Sequence, residues 1–229
     1  MKILITSGGT SEAIDSVRSI TNQATGSLGK IIVEKCLAAQ LDVTLVTTKT
    51  AVKPQYQEGL TIVEITDVAN LLATLEELVP LHDVMIHSMA VSDYSPVYMT
   101  DLAQVKTVQN IESLLDETNT EGKISSTAEY QVLFLKKTPK VISYVKQWNP
   151  AIQLIGFKLL VNVTKEELFQ VARESLIKNQ ADYILANDLA DISPEKHGAY
   201  LLDKESAVPA QTKEEIAEII LEKVLEKRR

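Results

Sequence analysis

The sequence predicts an α/β fold, a Rossmann-like parallel sheet flanked by helices. Three observations support this prediction: short apolar strands alternate with helical segments, the first strand ends in two glycines, and a long polar loop separates that strand from the first helix. Strands that are apolar throughout are typical of a parallel sheet covered on both faces. The alternating order predicts parallel strands joined by helical crossovers.

The first half of the chain contains four predicted strands and two predicted helices. Asp67 is placed to cap the second helix, and that helix must end before Pro80, because the residue before a proline disfavours helical geometry. The predicted strands are residues 2–6, 43–47, 60–65 and 84–87, and the predicted helices are residues 27–40 and 68–78.

The second half continues the pattern after a polar excursion. Residues 95–127 carry no strong period and contain one short helix at 111–115, so we predict a flap inserted in a single domain of residues 1–229. Pro139 suits the first turn of the helix after the flap. The remaining predicted strands are 130–135, 153–157, 183–186 and an edge strand at 200–202, and the predicted helices are 138–148, 165–178 and 212–227.

Composition and charge narrow the classes of function. The 229 residues carry a formal net charge of −8, whereas a general nucleic-acid binder is usually basic, so we expect no nucleic-acid partner. No apolar run approaches the ~20 residues that cross a bilayer, and no signal peptide is recognisable. Cys36 is the single cysteine and falls on an apolar helix face, and His82, His87 and His197 lack metal-ligand spacing. We expect a cytoplasmic protein without membrane partners or metal ligands, and with structural histidines.

Four glycines surround the long loop after the first strand. Gly8 and Gly9 end the strand, where they let the backbone turn tightly and approach a ligand, and Gly26 and Gly29 open the next helix. A helix N-terminus presents unpaired N–H groups and a positive dipole end, so it attracts phosphate. The glycine spacing departs from the GxGxxG fingerprint, which argues against a dinucleotide. The alternative is that Gly26 and Gly29 only permit close packing of helix on strand.

Polar side chains occupy the loops at the predicted strand ends, where open α/β sheets bind ligands. Arg18 can hold a phosphate or carboxylate with two parallel hydrogen bonds, and Asn22 offers both a donor and an acceptor. Asp93 suits a nucleotide hydroxyl, an amino group or Mg²⁺, although a lone aspartate in a loop is more often a turn residue. Lys123 suits a phosphate, although a lysine in a polar loop is usually solvated.

Six motifs stand in the order found in phosphopantothenate–cysteine ligases, and the chain resembles that family over nearly its whole length. The resemblance implies a Rossmann-like fold with a flap used in dimerisation, and hence a homodimer. Because the ligase signature starts at residue 1, we expect the stand-alone, monofunctional form, without the flavin of the decarboxylase fused to many bacterial members. The motifs are ITSGGTSEAIDSVRSITNQATGSLG, MAVSDY, GKISS, LFLKKTPKVI, IGFKL and DYILAND.

The resemblance implies a ligation in two steps. A nucleoside triphosphate, CTP or ATP, activates the carboxylate of 4′-phosphopantothenate with the help of Mg²⁺, and cysteine then displaces the nucleotide from the acyl group. Asn22 would hold the acyl-nucleotide, Lys123 would neutralise the triphosphate, and Arg18 would support the loop or the substrate. The other implied residues are Gly8, Gly9, Ala24, Gly26 and Gly29 in the phosphate cradle, Met89, Ala90 and Asp93 at the substrate or nucleotide, and Phe157 and Asn187 at the base.

The identity of the nucleotide and the class of protein leave alternatives. Bacterial members of the family use CTP, but the stretch KLLVN after Phe157, with KISS and TPKVI, is closer to eukaryotic members, which favour ATP. We predict CTP over ATP. A non-catalytic nucleotide-binding module and an NAD(P)-dependent oxidoreductase of similar fold are the alternatives to a ligase, and the second would need a GxxxGxG turn that the chain lacks after its first strand.

Overall fold

Strands and helices alternate along the chain in the computed structural model, which describes residues 1–193 and 196–227. The predicted elements of the first half are confirmed, with bounds that differ by at most two residues, and two further short strands, β2 and β3, were not predicted. In chain order the elements are β1 (Lys2–Ser7), β2 (Ser11–Ala13), β3 (Ser19–Thr21), α1 (Ser27–Ala38), β4 (Asp42–Thr48), β5 (Leu60–Ile65), α2 (Val68–Leu78) and β6 (Val84–His87).

The second half opens with an antiparallel strand pair and then returns to the central sheet. Short 3-10 helices cover Val79–Leu81, Ile111–Leu115, Val141–Tyr144 and Leu189–Asp191. The longer elements are β7 (Tyr94–Asp101), α3 (Leu102–Thr107), β8 (Gln131–Lys137), α4 (Val145–Trp148), β9 (Gln153–Leu160), α5 (Lys165–Lys178), β10 (Tyr183–Asp188), β11 (Ala199–Leu202), β12 (Ala207–Ala210) and α6 (Lys213–Glu226).

Parallel strands form the centre of the main sheet, which has eight strands among the described residues. Their order is β5–β4–β1–β6–β9–β10, and β11 and β12 extend the sheet with antiparallel pairing. The chain first moves outward from β1 through β4 and β5, and then returns to place β6 on the other side of β1. This order confirms the predicted Rossmann-like sheet. A crevice at the carboxyl ends of β1 and β6 is where such sheets bind ligands.

Helices cover both faces of the sheet, because successive strand residues point to opposite sides. In β1, Ile3 and Ile5 pack with α1 and α6, while Leu4 packs with α2, α4 and α5. All three side chains are fully buried. Cys36 lies buried in the first of these cores, as predicted. The two cores hold the sheet between its helical layers, so the strand ends remain as the place for a site.

The helix predicted at 138–148 is wrong at its start. It begins at Val141 as a 3-10 turn and becomes α-helical only at Val145. Thr138 precedes Pro139, which disfavours helical geometry. Its extended position is held by its N–H, which donates to the carbonyl of Asp93 at 2.9 Å, and by its hydroxyl, which donates to the carbonyl of Ser92. The segment after β8 is therefore bound to the loop after β6, and residues of both segments line the candidate site described below.

Two strand predictions also need correction. The strand at 200–202 is not the sheet edge, because β12 lies outside β11. The loop after β1 contains a hairpin of β2 and β3, which the sequence did not reveal because each strand has only three residues.

An arm of residues 94–137 takes the place of the predicted flap. Its antiparallel strands β7 and β8 pair from Tyr94 opposite Lys137 to Asp101 opposite Gln131, and α3 and the predicted short helix lie in the connection between them. Strand β7 was not predicted, since its side chains are mostly half-buried and it contains Pro96, which disfavours a strand prediction. The role of this arm in dimerisation stays a prediction.

Glycines allow α1 to pack closely on the end of β1. Gly8 and Gly26 have φ of +88° and +81°, a region that side chains rarely adopt. A Cβ on Gly29 would lie 2.5 Å from Cβ of Ser7 and still closer to its Oγ. Close packing, one of the two interpretations of the glycines, therefore holds for Gly29.

We expect Gly29→Ala to lower the free energy of unfolding by about 1–3 kcal/mol, the usual cost of overpacking a core. A loss of stability is informative here, because alanine within a helix is ordinarily favoured over glycine by about 1 kcal/mol. Urea denaturation measures the difference. Gly122→Ala is the matched control, since its Cβ would meet nothing nearer than Oγ of Ser16 at 3.8 Å. A G29A protein as stable as the wild type would contradict the packing argument.

Candidate active site at the carboxyl ends of the first and fourth parallel strands

The loops that follow β1 and β6 run side by side across the crevice. The N–H of Ala90 donates to the carbonyl of Gly8 at 2.9 Å, and the N–H of Thr10 donates to the carbonyl of Ala90 at 3.1 Å. Gly9 and Ala90 thereby form a parallel bridge beyond the ends of the strands. Three residues predicted at the site, Gly8, Gly9 and Ala90, thus form one backbone framework.

Asn22 is held against this framework by its side-chain amide. Its Nδ2 donates to the carbonyl of Ala90 and to Oγ of Ser92, each at 3.2 Å. A Cβ on Gly9 would lie 2.9 Å from the carbonyl oxygen of Asn22, so this approach requires a glycine. No described residue donates a hydrogen bond to Oδ1 of Asn22. The amide is therefore fixed by its nitrogen, with an acceptor left for a ligand.

A cavity of about 540 Å³ lies beside Asn22, between the loop after β6 and helix α5. This volume is in the usual range for small-molecule sites. Of the residues predicted at the substrate or nucleotide, Asn22, Met89, Asp93 and Phe157 line it. Asn187 does not line this cavity; it is buried in β10, opposite Leu159 of β9. The cavity thus brings these four residues together from three separate motifs.

Charged groups that sequence reasoning missed line the same cavity. Lys140, Lys158 and Lys178 contribute three cationic groups, and Glu174 contributes a carboxylate. Lys140 and Lys158 stand in two of the motifs, LFLKKTPKVI and IGFKL, and their membership of these motifs was the available signal. Cations on a cavity wall favour an anionic ligand such as a phosphate or carboxylate.

Asp93 is paired at the rim of the cavity. Nζ of Lys140 lies 2.7 Å from Oδ1 of Asp93, and both side chains are more than three-fifths exposed. An exposed pair of this kind contributes about 0–1 kcal/mol to stability. The ion pair therefore orients the two side chains at the rim, and either of them can bind a ligand instead at little cost in free energy.

Arg18 fastens the loop after β1 to the arm. Its guanidinium contacts the carboxylate of Asp15 through Nε at 3.0 Å and Nη2 at 2.6 Å, and Nη2 also donates to the carbonyl of Ile124 at 3.0 Å. The same carboxylate accepts the N–H of Ile124, and these contacts, chiefly Arg18, hold the pKa of Asp15 well below its usual range. Of the two predicted roles of Arg18, support of the loop is the one that its contacts provide.

Lys123 lies beside this junction, on the arm. It is exposed and does not line the cavity, although its neighbour Ile124 is held by Asp15 and Arg18. The backbone of Gly122 is also fixed, since its carbonyl accepts the N–H of Ser16 at 3.1 Å. The arm thus presents Lys123 from an anchored backbone, away from the cavity of its own chain.

The start of α1 forms a cradle near Ala24. Gly26 is the N-cap, and no side chain among the described residues caps the helix. Nζ of Lys213, in the first turn of α6, donates to Oγ of Ser27 at 3.0 Å. The sequence did not indicate Lys213, which lies 186 positions from Ser27. A helix start with an added lysine is a favourable position for a phosphate.

His87, which was expected to be structural, also lines the cavity. Its Nδ1 lies 2.8 Å from Oγ1 of Thr6, and its ring is 7% exposed. Burial, together with the charge of Lys140, lowers the pKa of His87 to about 4. The imidazole is therefore neutral at physiological pH. By contrast, His82 uses both ring nitrogens within the fold, towards the carbonyl of Leu78 and Oγ1 of Thr44.

Metal centres and membrane-spanning helices are two further features that the sequence did not lead us to expect. Within residues 1–193 and 196–227, no three His, Cys, Asp or Glu side chains gather as a metal centre. In the same ranges, no helix combines the length and apolar character needed to cross a bilayer.

Known proteins with similar sequences belong to coenzyme A biosynthesis. Residues 1–119 and 113–227 match the family described as the DNA/pantothenate metabolism flavoprotein C-terminal domain. The coenzyme A biosynthesis bifunctional proteins CoaBC of Thermococcus kodakarensis and Methanocaldococcus jannaschii are each 30% identical to this chain, over 97% of its length. The chain spans 50% of the length of each of these two relatives.

Solved structures share both the fold and the chain length. The crystal structure of the DNA/pantothenate metabolism flavoprotein from Streptococcus pneumoniae has 59% identity and a TM-score of 0.95, over 99% of both chains. The C-terminal domain of CoaBC has 25% identity and a TM-score of 0.70, over 97% of this chain and 93% of that one. Cab2 in complex with phosphopantothenate-cysteine shares the fold, with a TM-score of 0.74 at 18% identity over 99% of this chain and 85% of that one. The family resemblance is thus confirmed, and the chain belongs to the family of the DNA/pantothenate metabolism flavoprotein C-terminal domain.

Proposed function

We propose that this chain is a ligase that joins 4′-phosphopantothenate to cysteine through an acyl-nucleotide, and forms 4′-phosphopantothenoylcysteine. The observation that carries the proposal is the fixed amide of Asn22 beside a cavity with three lysines. The names of the relatives, which place them in coenzyme A biosynthesis, support it. A non-catalytic nucleotide-binding module would need the cradle at the start of α1, but neither the fixed amide of Asn22 nor the cavity with three lysines.

In the activation step, a carboxylate oxygen of 4′-phosphopantothenate attacks the α-phosphorus of the nucleotide, and pyrophosphate leaves. This step concentrates negative charge, so it needs cationic groups and backbone N–H donors around the triphosphate. We assign that role to the start of α1, with Lys213 beside Ser27, and to Lys123. We propose CTP as the nucleotide, with ATP as the second candidate.

Mg²⁺ enters this proposal as the counter-ion of the nucleotide. The described residues offer no cluster of three metal-binding side chains, which does not fit a resident metal centre. Mg²⁺ commonly keeps several waters and binds through substrate phosphates with one or two carboxylates. We therefore derive no step through a protein-bound metal.

In the ligation step, the amine of cysteine attacks the acyl carbon, the nucleoside monophosphate leaves with the electron pair, and the ammonium proton passes to solvent. The amide of Asn22 would hold the acyl-nucleotide, since its nitrogen is fixed and its oxygen is available. The cationic wall of Lys140, Lys158 and Lys178 would hold the phosphate of 4′-phosphopantothenate. Fixing both ends of the substrate would orient the acyl group for attack.

We further propose a homodimer in which the arm of one subunit completes the site of the other. Lys123 lies outside the cavity of its own chain, although the activation step needs its charge at a triphosphate. The arm also exposes large apolar side chains that a partner would cover. These side chains are Tyr94 at 51% exposure, Ile111 at 53%, Leu115 at 50% and Tyr130 at 62%.

A pyrophosphate-release assay tests the proposed function. We expect pyrophosphate release that depends on 4′-phosphopantothenate and is faster with CTP than with ATP. The product 4′-phosphopantothenoylcysteine should form only when cysteine is added. Omission of each substrate in turn is the control. No release with either nucleotide would refute the ligase, and calorimetric binding of nucleotide without turnover would indicate the non-catalytic module instead.

We expect Asn22→Asp to form the acyl-nucleotide but to block its conversion to product. A carboxylate cannot donate to the Ala90 carbonyl or to Oγ of Ser92, so it loses the position in which the amide presents its oxygen. Mass spectrometry of the bound species measures the trapped intermediate. Asn149→Asp is the matched control, because its Nδ2 also donates two hydrogen bonds, here to backbone carbonyls at 3.2 Å and 3.1 Å, but outside the cavity. A fully active N22D protein would remove Asn22 from the mechanism.

Lys123→Gln should slow pyrophosphate release itself, because the triphosphate loses a compensating charge. If sites are shared, mixing inactive K123Q and N22D proteins should restore part of the activity, since each mixed dimer then contains one site without either substitution. The control is Lys106→Gln, an exposed lysine of α3 on the same arm, which should keep wild-type activity. Absence of recovery in mixed dimers isolated with two affinity tags would overturn the shared site.

A further inference from the structure

We propose that His87 is a catalytic residue of the ligation step: its Nε2–H donates a hydrogen bond to the acyl oxygen while cysteine attacks. This inference rests on the proposed ligase function and adds a residue that the family motifs do not indicate. Three features of the molecule support it, namely the position of the ring, its tautomer and its unused nitrogen.

The position of His87 at the end of β6 places its ring on the wall of the cavity. It is the last residue of β6, opposite Thr6 of β1 on one side and Gly156 of β9 on the other. The ring lines the same cavity as Asn22 and Phe157. The residue is 7% exposed, so most of its surface is shielded from water, and hydrogen bonds in shielded places are stronger than in water.

The hydroxyl of Thr6 fixes the tautomer of the ring. Oγ1 of Thr6 lies 2.8 Å from Nδ1 of His87 and accepts a long hydrogen bond, 3.4 Å, from the N–H of Met89. Among the described residues, Nδ1 is the acceptor available to the hydroxyl proton of Thr6. The hydroxyl therefore donates to Nδ1, and a neutral imidazole whose Nδ1 accepts carries its proton on Nε2.

The second ring nitrogen has no use within the described part of the chain. No described residue forms a hydrogen bond with Nε2 of His87, whereas His82, buried to a similar degree at 8% exposure, has both ring nitrogens bonded. The structure thus provides a donor on the cavity wall without a partner among the described residues, and a ligand in the cavity would satisfy it.

A neutral donor suits the ligation step better than a base would. Burial, and to a lesser extent the charge of Lys140, lowers the pKa of His87, so the ring is a poor acceptor for the proton of an ammonium group. As the N–C bond forms, the acyl oxygen becomes negatively charged, and it recovers its double bond when the C–O bond to the nucleotide breaks. A hydrogen bond to that oxygen is stronger in the transition state than before it, which accelerates the step. Neutral histidines can serve as electrophiles in this way.

The two steps of the reaction can be separated in a test. His87→Leu removes the donor and keeps an apolar side chain of similar size, and His87→Gln offers an N–H in its place. We compare pyrophosphate release in a single turnover without cysteine with amide formation after cysteine is added. For H87L we expect ligation slowed about 10²-fold, the usual effect of one oxyanion donor, with pyrophosphate release changed far less. H87Q should recover a large part of the loss.

His82→Leu is the matched control, because it removes a buried histidine with two hydrogen bonds outside the cavity. We expect H82L to lose stability and to keep the wild-type ratio of the two rates. Equal slowing of both steps in H87L, or an unchanged ligation rate, would overturn the proposal. If H87L does not fold, the same two rates are compared between H87Q and the wild type. A wild-type protein without turnover would refute the ligase function, whereas failure of His87 alone would leave that function intact.

Discussion

Backbone pairing between the loops after β1 and β6 is the constraint on which the rest of the site depends. It continues the sheet one step beyond the strands, through Gly8, Thr10 and Ala90, and the Thr10 hydroxyl strengthens it with two contacts to Ser92 at 3.0 Å and 2.9 Å. Asn22 docks on this pairing, and Thr138 binds the neighbouring carbonyls of the second loop. The cavity mouth and the base of the arm are therefore positioned by the same few hydrogen bonds.

Packing and ligand binding are not alternatives for the glycines of the first loop. Gly29 lets α1 pack against Ser7, whose hydroxyl in turn donates to the carbonyl of Gly26 at 3.1 Å. This close contact brings the uncapped start of α1 to the end of β1, where the crevice opens. A bulkier helix start would move the N–H groups away from that crevice. The tight packing is thus what makes the helix end available to an anion.

The sequence predicts those parts of the fold whose causes are local. Asp67 caps α2 by accepting the N–H of Asn70, and β5, α2, β6 and α5 have the predicted bounds, because burial period and end signals lie within each segment. The hairpin of β2 and β3 and the late start of the helix after Thr138 were not predictable in this way. The first depends on pairing of three-residue strands, and the second on hydrogen bonds to a loop 46 residues earlier.

The candidate site shows the same division between local and distant causes. Asn22, Met89, Asp93 and Phe157 belong to motifs and were predicted, whereas Lys213 reaches Ser27 only because α6 packs beside α1. Arg18 was predicted as a ligand or a support, and only the distant carbonyl of Ile124 distinguishes these roles. His87 looked structural because a lone histidine in a buried strand usually is. Its tautomer depends on Thr6, which lies 81 positions away.

The charge of the cavity differs from the charge of the chain, and this difference bears on what the site can bind. A net charge of −8 would repel anionic substrates at long range, but charges farther than about 8 Å are largely screened at physiological ionic strength. Near the cavity, Lys140, Lys158 and Lys178 outnumber the carboxylates of Asp93 and Glu174. Because Asp93 is exposed and weakly paired, its lysine can turn to an incoming phosphate, while the buried His87 stays neutral and adds no charge. Local geometry therefore allows an acidic protein to present a cationic wall to an anion and an uncharged histidine in the same cavity.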